Sequence, residues 1–382
     1  MRIGFDGKRA VCNNTGLGNY SRLLVDVLAK RYPEHEYILY TPQFQPNSRL
    51  EPLLKLPNVE LRTPDTTIGR AASSIWRIQG LTSQLDRDNI ELMHGLSGEL
   101  PLNIDRQPIP SVVTIHDLIF KRYPKCYNPI DREIYDYKFM KAARNSSRIL
   151  AISECTKRDI IHYYDIDPDK IDVVYQGCHE QFKRTPQKAE IEAVKAKYGI
   201  DRPYIICVGT IEKRKNQIMP VRGMRGLPDE LDLVLVGRRT SYARTIDQYI
   251  RQYNMGNRVK FINQADFADL PALYAGAFCS SYTSHYEGFG IPVIESLSVG
   301  TPVIVASGSC LEEAGGPDTP AVNPYDVEEW IATMKDLIEF PVGRKRIIEN
   351  GREYVKRFND LAMAEGTMNV YNRALNSAPL DN

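Results

Sequence analysis

The sequence predicts an α/β protein built from two doubly wound parallel sheets. Three observations carry that expectation. Short apolar runs alternate with longer helical patterns along the chain, the rhythm of parallel strands joined by crossover helices. The rhythm pauses once, at "QGCHEQFKRTPQKAEIEAVKAKYGIDRPY" (176–204), and then restarts. At 382 residues the chain exceeds what one hydrophobic core usually serves, so two domains of roughly 150 to 200 residues, facing each other across a cleft, are expected.

In order, the first half offers an opening strand at 3–5, a helical pattern at 20–30 and a second strand at 37–40. An apolar run at 90–93, strands at 112–115 and 149–152, a helix from Glu154 and a strand at 171–175 follow. After the pause come strands at 204–208, 231–236, 259–262, 277–281 and 302–305, and from Val327 onward the chain reads as helices. The boundary is placed near 178–190, giving domains 1–180 and 181–364 with a terminal helix at about 365–382.

Composition sets the outer limits. A hydrophobic fraction of 42%, a charged fraction of 25% and 24 prolines describe an ordinary globular protein, and a net charge of +1 gives no reason to expect a nucleic-acid partner. The seven cysteines (12, 126, 155, 178, 207, 279 and 310) are odd in number and never spaced C-x-x-C, so they read as thiols in a reducing compartment and not as a zinc site. No apolar run reaches the roughly 18 to 20 residues of a membrane span, and the chain opens on a strand pattern instead of a signal peptide. The expected location is the cytoplasm, with peripheral contact at the inner face of the membrane left open.

In an open α/β sheet ligands bind past the carboxyl ends of the strands, so the informative residues fall just after each apolar run. After the first strand, "DGKRAVCNNTGLGNY" (6–20) places Gly16 and Gly18 before a helix, where glycine lets backbone amides approach a phosphate; an ordinary strand-to-helix turn reads equally well. In "TIHDLIF" (114–120), His116 stands at the end of a strand, either as a sheet-capping residue or as a contact to bound substrate, and His94 has the same layout. In "VGTIEKRKNQ" (208–217), Lys213, Arg214 and Lys215 crowd one loop, a repulsive arrangement unless they spread into solvent or meet an anion such as a diphosphate.

The fourth stretch, "SHYEGFGIPVIESLSVG" (284–300), separates Glu287 from Glu295 by a Gly-Phe-Gly-Ile-Pro turn with Pro292 opening a helix. Amides at that helix start suit an anion, and Glu295 is expected in the first turn. Two carboxylates beside a diphosphate are reasonable if each accepts hydrogen bonds from hydroxyls at opposite ends of the ligand, which is the shape of a nucleotide-sugar. The plainer reading is a carboxylate that stabilises its helix, with Glu287 exposed.

Glu287-Gly288-Phe289-Gly290-Ile291-Pro292, together with Glu295 and Gly300-Thr301-Pro302-Val303, resembles the retaining nucleotide-sugar glycosyltransferases of the GT-B fold. That large family includes the mannosyl-, glucosyl- and N-acetylglucosaminyltransferases of lipopolysaccharide, capsule and phospholipid-glycan synthesis. The likeness extends over nearly the whole chain. It implies that Glu287 contacts donor hexose hydroxyls, that Glu295 contacts the ribose, and that Phe289, Gly290 and Ile291 offer backbone contacts to hexose and phosphate. It also implies that the Gly16–Gly18 turn lies near the diphosphate, that His116 meets the transferred sugar, and that Ile262 ends the base-binding segment. Many relatives carry Arg where Thr210 stands; Arg214 beside Lys215 is the expected replacement.

The resemblance further implies an acceptor-side first domain, a nucleotide-sugar-binding second domain, and a terminal helix that returns to the first. The expected function is transfer of a hexose, mannose favoured, to a glycan or lipid-linked oligosaccharide. The expected donor is GDP-mannose, with a UDP-sugar as the alternative, and neither a prosthetic group nor a metal is expected. Asp165-Ile166-Asp167 precedes a proline and reads as a turn, not a metal motif. The rival readings are a sugar-nucleotide epimerase, a phosphorylase, and a catalytically silent nucleotide-sugar-binding subunit.

Overall fold

The computed structural model describes residues 1–377. The chain divides into two compact units, one made of residues 1–176 with the segment from Asn359 onward, the other of Gly177–Phe358. In the first unit β1 (Arg2–Asp6), β2 (Glu36–Tyr40), β3 (Val59–Arg62), β4 (Leu92–Gly95), β5 (Ser111–Ile115), β6 (Arg148–Ala151) and β7 (Ile171–Val173) form one sheet. The order is β3-β2-β1-β4-β5-β6-β7, and every pairing is parallel. Its inner strands are buried on both faces, which is why apolar runs instead of alternation mark them in the sequence. The order reverses beside β1, and open α/β sheets bind ligands outside the carboxyl ends of the strands at such a reversal.

The helix Gly16–Arg31 turns Tyr20, Leu24, Val25 and Leu28 into the core. It begins one turn before the apolar periodicity does, because its first turn is made of Gly, Leu, Gly and Asn. Gly18 is sterically required: a Cβ there would lie 1.8 Å from the Asn13 carbonyl oxygen.

His94 departs from the expectation. It lies within β4, not beyond its end, and is fully buried. Its Nδ1 is 2.7 Å from the Tyr371 hydroxyl and its Nε2 2.8 Å from Thr114 Oγ1. Burial, with His116 adding to it, lowers its pKa to about 3, so it is a neutral core residue. Tyr371 belongs to the helix Asp360–Asn376, which Asn359 caps through the Ala362 amide (2.9 Å) and which packs on Gly16–Arg31, β5 and β6. The end of the expected terminal helix, 378–382, lies outside the described residues.

In the second unit β8 (Tyr204–Val208), β9 (Asp232–Val236), β10 (Val259–Ile262), β11 (Cys279–Tyr282), β12 (Val303–Ala306) and β13 (Ala321–Val322) pair in the parallel order β10-β9-β8-β11-β12-β13. The order reverses between β8 and β11. The helix Val327–Glu339 covers this sheet by burying Trp330, whose indole N–H donates to Ser281 Oγ at 3.0 Å. Gly223 admits that ring, since a Cβ there would sit 2.3 Å from it. β3 and β13 were not foreseen; one alternates with charged residues and the other is two residues long.

No disulfide forms among the described residues, and five of the seven cysteines are buried. Among the described residues no helix is long and apolar enough to cross a membrane.

Tyr371→Phe removes a hydroxyl from a buried imidazole nitrogen, a loss of about 1 to 3 kcal/mol. Its urea unfolding midpoint is expected to fall, and a midpoint equal to wild type would show that the His94 bond contributes nothing.

Candidate active site

The site in the second unit is built from the two loops that leave the sheet where its order reverses. After β8, Gly209 takes a φ of +141°, a conformation glycine adopts without strain, and the stem of Lys215 passes over it. The chain then makes a single tight turn, Lys213–Lys215, closed by Asn216 at φ +55°. After β11, residues 283–290 lead into the helix Ile291–Val299.

Hydrogen bonds fasten these loops together. The His285 amide donates to the Arg214 carbonyl (2.8 Å), and the Arg214 guanidinium donates to the Tyr286 carbonyl (2.7 Å). The Asn216 side chain donates to the Thr283 carbonyl (3.1 Å) and also to that of Pro324 (2.8 Å), while Lys215 Nζ donates to the Tyr282 hydroxyl (2.7 Å). Asparagine tolerates the left-handed conformation, so the Asn-Gln step after the basic run was a legible turn signal. Its role as a clamp between loops was not legible.

Glu287 is where the expectation and the structure differ most in detail. Its Oε2 lies 2.7 Å from Arg214, and its Oε1 lies 2.9 Å from Lys215 Nζ and 3.1 Å from the Tyr282 hydroxyl. The carboxylate thus holds the two cations instead of standing apart from them. Burial alone would raise its pKa, but Lys215 and Arg214 outweigh that and hold it down at about 2. Burial likewise works against the charge on Lys215 and Arg214, and Glu287 overcomes it and raises both. Of the roughly four lone-pair directions of a carboxylate, this set occupies three, leaving one on Oε2 for a further donor.

Glu295 is in a different state. The helix starts at Ile291, so Glu295 lies beyond the first turn, where it was expected. It is buried, and the Tyr274 hydroxyl approaches its Oε2 at 3.4 Å. Burial raises its pKa to about 7, with the tyrosine pulling slightly the other way. Phe289 is buried edge-on against Phe358, with ring centres 5.3 Å apart, so its side chain is an anchor in the core. Gly290 has φ +125° and would place a Cβ 2.9 Å from Leu311. The carbonyl of Thr210 accepts from Gln217 Nε2 at 2.9 Å, and that of Ile262, at the end of β10, accepts from the Gly237 amide at 2.9 Å.

In the first unit His116 follows β5 directly. A carbonyl can only accept, so its Nε2 carries the proton given to Leu96 (3.0 Å), which leaves Nδ1 unprotonated. Burial lowers its pKa to about 4, and Tyr20 packs edge-on at 4.5 Å between ring centres. Gly16 starts its helix with open space around it, whereas the Gly18 amide is held by Asn13 Oδ1 at 3.3 Å. A buried ion cluster in the same unit was not legible in the sequence. Asp6, the last residue of β1, pairs with Arg77 (3.0 Å), Arg77 with Glu99 (2.9 Å), and Glu99 with Lys138 (3.1 Å). Arg77 lies on a π-helical turn, Trp76–Gly80.

Among the described residues no group of three or more His, Cys, Asp or Glu is placed to hold a metal ion.

Known proteins resemble this chain in sequence and in fold. The model of glycosyltransferase family 4 matches residues 14–182, and that of the group 1 glycosyl transferases matches residues 190–354. The chain is 27% identical over 247 residues to the O-antigen chain mannosyltransferase RfbU of Salmonella typhimurium, a stretch covering 65% of each protein. The match thus spans just under two thirds of that relative's length. The chain is 28% identical over 291 residues to the O-antigen chain mannosyltransferase B of Escherichia coli, covering 73% of this chain and 74% of that one. The crystal structure of Anabaena Alr3699/HepE in complex with UDP and glucose shares the fold, with a TM-score of 0.76 at 18% identity over 97% of this chain and 99% of that one.

The two matched domains, in this order and on two parallel sheets, place the chain in the GT-B superfamily: it belongs to the glycosyltransferases of family 4 and group 1.

The folded protein keeps the Glu295 proton up to about pH 7, whereas an unfolded carboxyl loses it near 4.5. Stability therefore falls as pH rises through that interval, and above it ionising the buried group costs on the order of 1 to 3 kcal/mol. Glu295→Gln is expected to raise the calorimetric unfolding temperature at pH 8 and to change it little at pH 5. An equal effect at both values would contradict the buried, raised carboxyl.

Proposed function

We propose that this glycosyltransferase moves a hexose, mannose in preference, from a nucleotide-sugar to a glycan or lipid-linked oligosaccharide during surface polysaccharide synthesis, with retention of anomeric configuration. GDP-mannose is the favoured donor and a UDP-sugar the alternative. The observation that carries the reading is the half-buried Glu287–Arg214–Lys215 cluster at the β8/β11 reversal, which fixes two cations where a diphosphate would sit. The choice of mannose and of a glycan acceptor is supported by what the two O-antigen relatives are named for.

In this reading Arg214 and Lys215 stabilise the charge that develops on the departing diphosphate. Fixed cations do this without reorganising, because they are already held by the protein. A metal is then not required. Glu287 keeps the two cations in place and gives its remaining acceptor position to a hydroxyl of the hexose. Glu295 accepts from the ribose, and a hydroxyl donor there would favour the ionised form that burial disfavours in the free protein. Phe289, Gly290 and Ile291 offer backbone contacts to hexose and phosphate, and Thr210 and Ile262 border the nucleotide.

From the first unit, His116 and the Gly16–Gly18 turn are proposed contacts to the transferred sugar and the diphosphate. A double displacement needs a carboxylate nucleophile at the anomeric carbon, and Glu287 is engaged by two cations. Front-face attack, with the leaving phosphate oxygen taking the acceptor's proton, is therefore favoured.

Calorimetry with GDP, UDP, ADP and dTDP, followed by turnover in excess chelator, tests the reading. Tight binding of GDP and undiminished turnover are expected; binding of none of the four would overturn it. Glu287→Ala is expected to lower turnover by at least about a hundredfold through loss of contacts at the reacting sugar. It also leaves Lys215 without its carboxylate and Arg214 with Glu212 alone (2.7 Å), at about 3 to 5 kcal/mol of stability, so its fold must be checked in the same experiment. Glu295→Ala is expected to act chiefly on nucleotide affinity. Equal and negligible effects from both would remove the assignment.

A further inference from the structure

The carboxyl edge of the second unit's sheet carries an aromatic pair that the proposed chemistry leaves unused. Tyr325 lies between β13 and the helix Val327–Glu339 and is 72% exposed. Its ring stacks on that of His285, with centres 4.8 Å apart and planes 23° from parallel. An exposed aromatic residue is ordinary by itself. This one has its backbone pinned on both sides. The Tyr325 amide donates to Asn323 Oδ1 (3.0 Å), the Asn323 amide to Glu329 Oε2 (2.8 Å), and Asp326 caps the following helix through the Glu329 amide (3.0 Å). The Pro324 carbonyl accepts from Asn216, the clamp of the basic loop, at 2.8 Å.

His285 brings the pair into the site. It stands two positions before Glu287, and its amide donates to the Arg214 carbonyl (2.8 Å). Burial, and after it the charge of Lys213, lower its pKa, so the imidazole beneath Tyr325 is neutral at pH 7. One face of the tyrosine ring is taken by His285, and the other is open to solvent. Such a face carries partial negative charge and attracts the polarised C–H bonds that line a pyranose ring. Lys213, exposed and without an ion pair among the described residues, adds N–H donors of the kind that sugar hydroxyls accept. The strand order argues against a nucleobase as the occupant. β11 and β13, whose following loops carry the two rings, lie on one side of the β8/β11 reversal, whereas β10, which ends at Ile262 in the expected base-binding segment, lies on the other.

We infer that Tyr325, backed by His285, is a platform on which a sugar ring of the glycan acceptor stacks, so that the second unit takes part in choosing the acceptor. The inference rests on the proposed transfer to a glycan and goes beyond it, because that reading expects the acceptor on the first unit. A ring already fixed by its loop loses little conformational freedom when a sugar docks, so the stacking free energy is retained as affinity.

The test is saturation-transfer NMR of the full chain with millimolar mannotriose and, separately, maltotriose, with GDP and UDP calorimetry on the same samples. Transfer to the ring C–H protons is expected from the wild type and about tenfold weaker transfer from Tyr325→Ala. Tyr325→Phe, which keeps the ring and loses only the hydroxyl, should restore it. Nucleotide affinity and unfolding temperature should be unchanged in both variants. No transfer to either trisaccharide, or transfer from Tyr325→Ala equal to that from wild type, would overturn the inference. So would a loss of GDP or UDP affinity in Tyr325→Ala, because the ring would then be stacking a nucleobase. Nucleotide binding without trisaccharide binding removes the platform and spares the donor reading, and trisaccharide binding without nucleotide binding does the reverse.

Discussion

One ion cluster organises the second unit's site. Glu287 sits in the loop after β11, and Arg214 and Lys215 sit in the loop after β8, so their attraction ties together the two chain segments that flank the strand-order reversal. Two cations this close would push their loop apart if the carboxylate were removed. With it in place, they are fixed before any ligand arrives, and the surrounding carbonyl and amide bonds from Arg214, Asn216 and His285 keep the geometry from relaxing. Preorganisation of this kind distinguishes the cluster from a basic loop in solvent.

The second carboxylate of the motif illustrates a different use of the same residue type. Glu287 is held ionised by its partners, whereas Glu295 is pressed towards the neutral form by burial, with a tyrosine hydroxyl at 3.4 Å. Two glutamates eight positions apart are thus shifted in opposite directions without either being exposed. The cause is local: one faces two cations, and the other faces Tyr274 from inside a helix.

Much of the architecture was readable in advance because doubly buried strands leave uninterrupted apolar runs, as at Tyr204–Val208 and Asp232–Val236. What escaped notice was short or alternating, like Ala321–Val322 and Val59–Arg62, where no run is long enough to stand out. The site was legible as a set of residue types placed after strands, but not as a set of pairings. Nothing in the spacing of Glu287 and Lys215 says that 72 positions of chain close on a 2.9 Å contact. His94 was misplaced because its strand continues through Gly95, and the polar partner that satisfies it, Tyr371, lies 277 residues away. The Asp6–Arg77–Glu99–Lys138 cluster was missed for the same reason, being assembled from four separate elements.

The return of the final helix to the first unit means that the second unit is an insertion within the first. A ribosome delivers residues 1–176 long before Tyr371, so during synthesis His94 has no hydroxyl from that helix, and the side of the sheet it will cover remains open. The inserted unit, continuous in sequence, has all of its own strands by Phe358. Birth order along the polypeptide and order of completion are therefore opposite: the half that begins first is sealed last, by the closing turns of the chain.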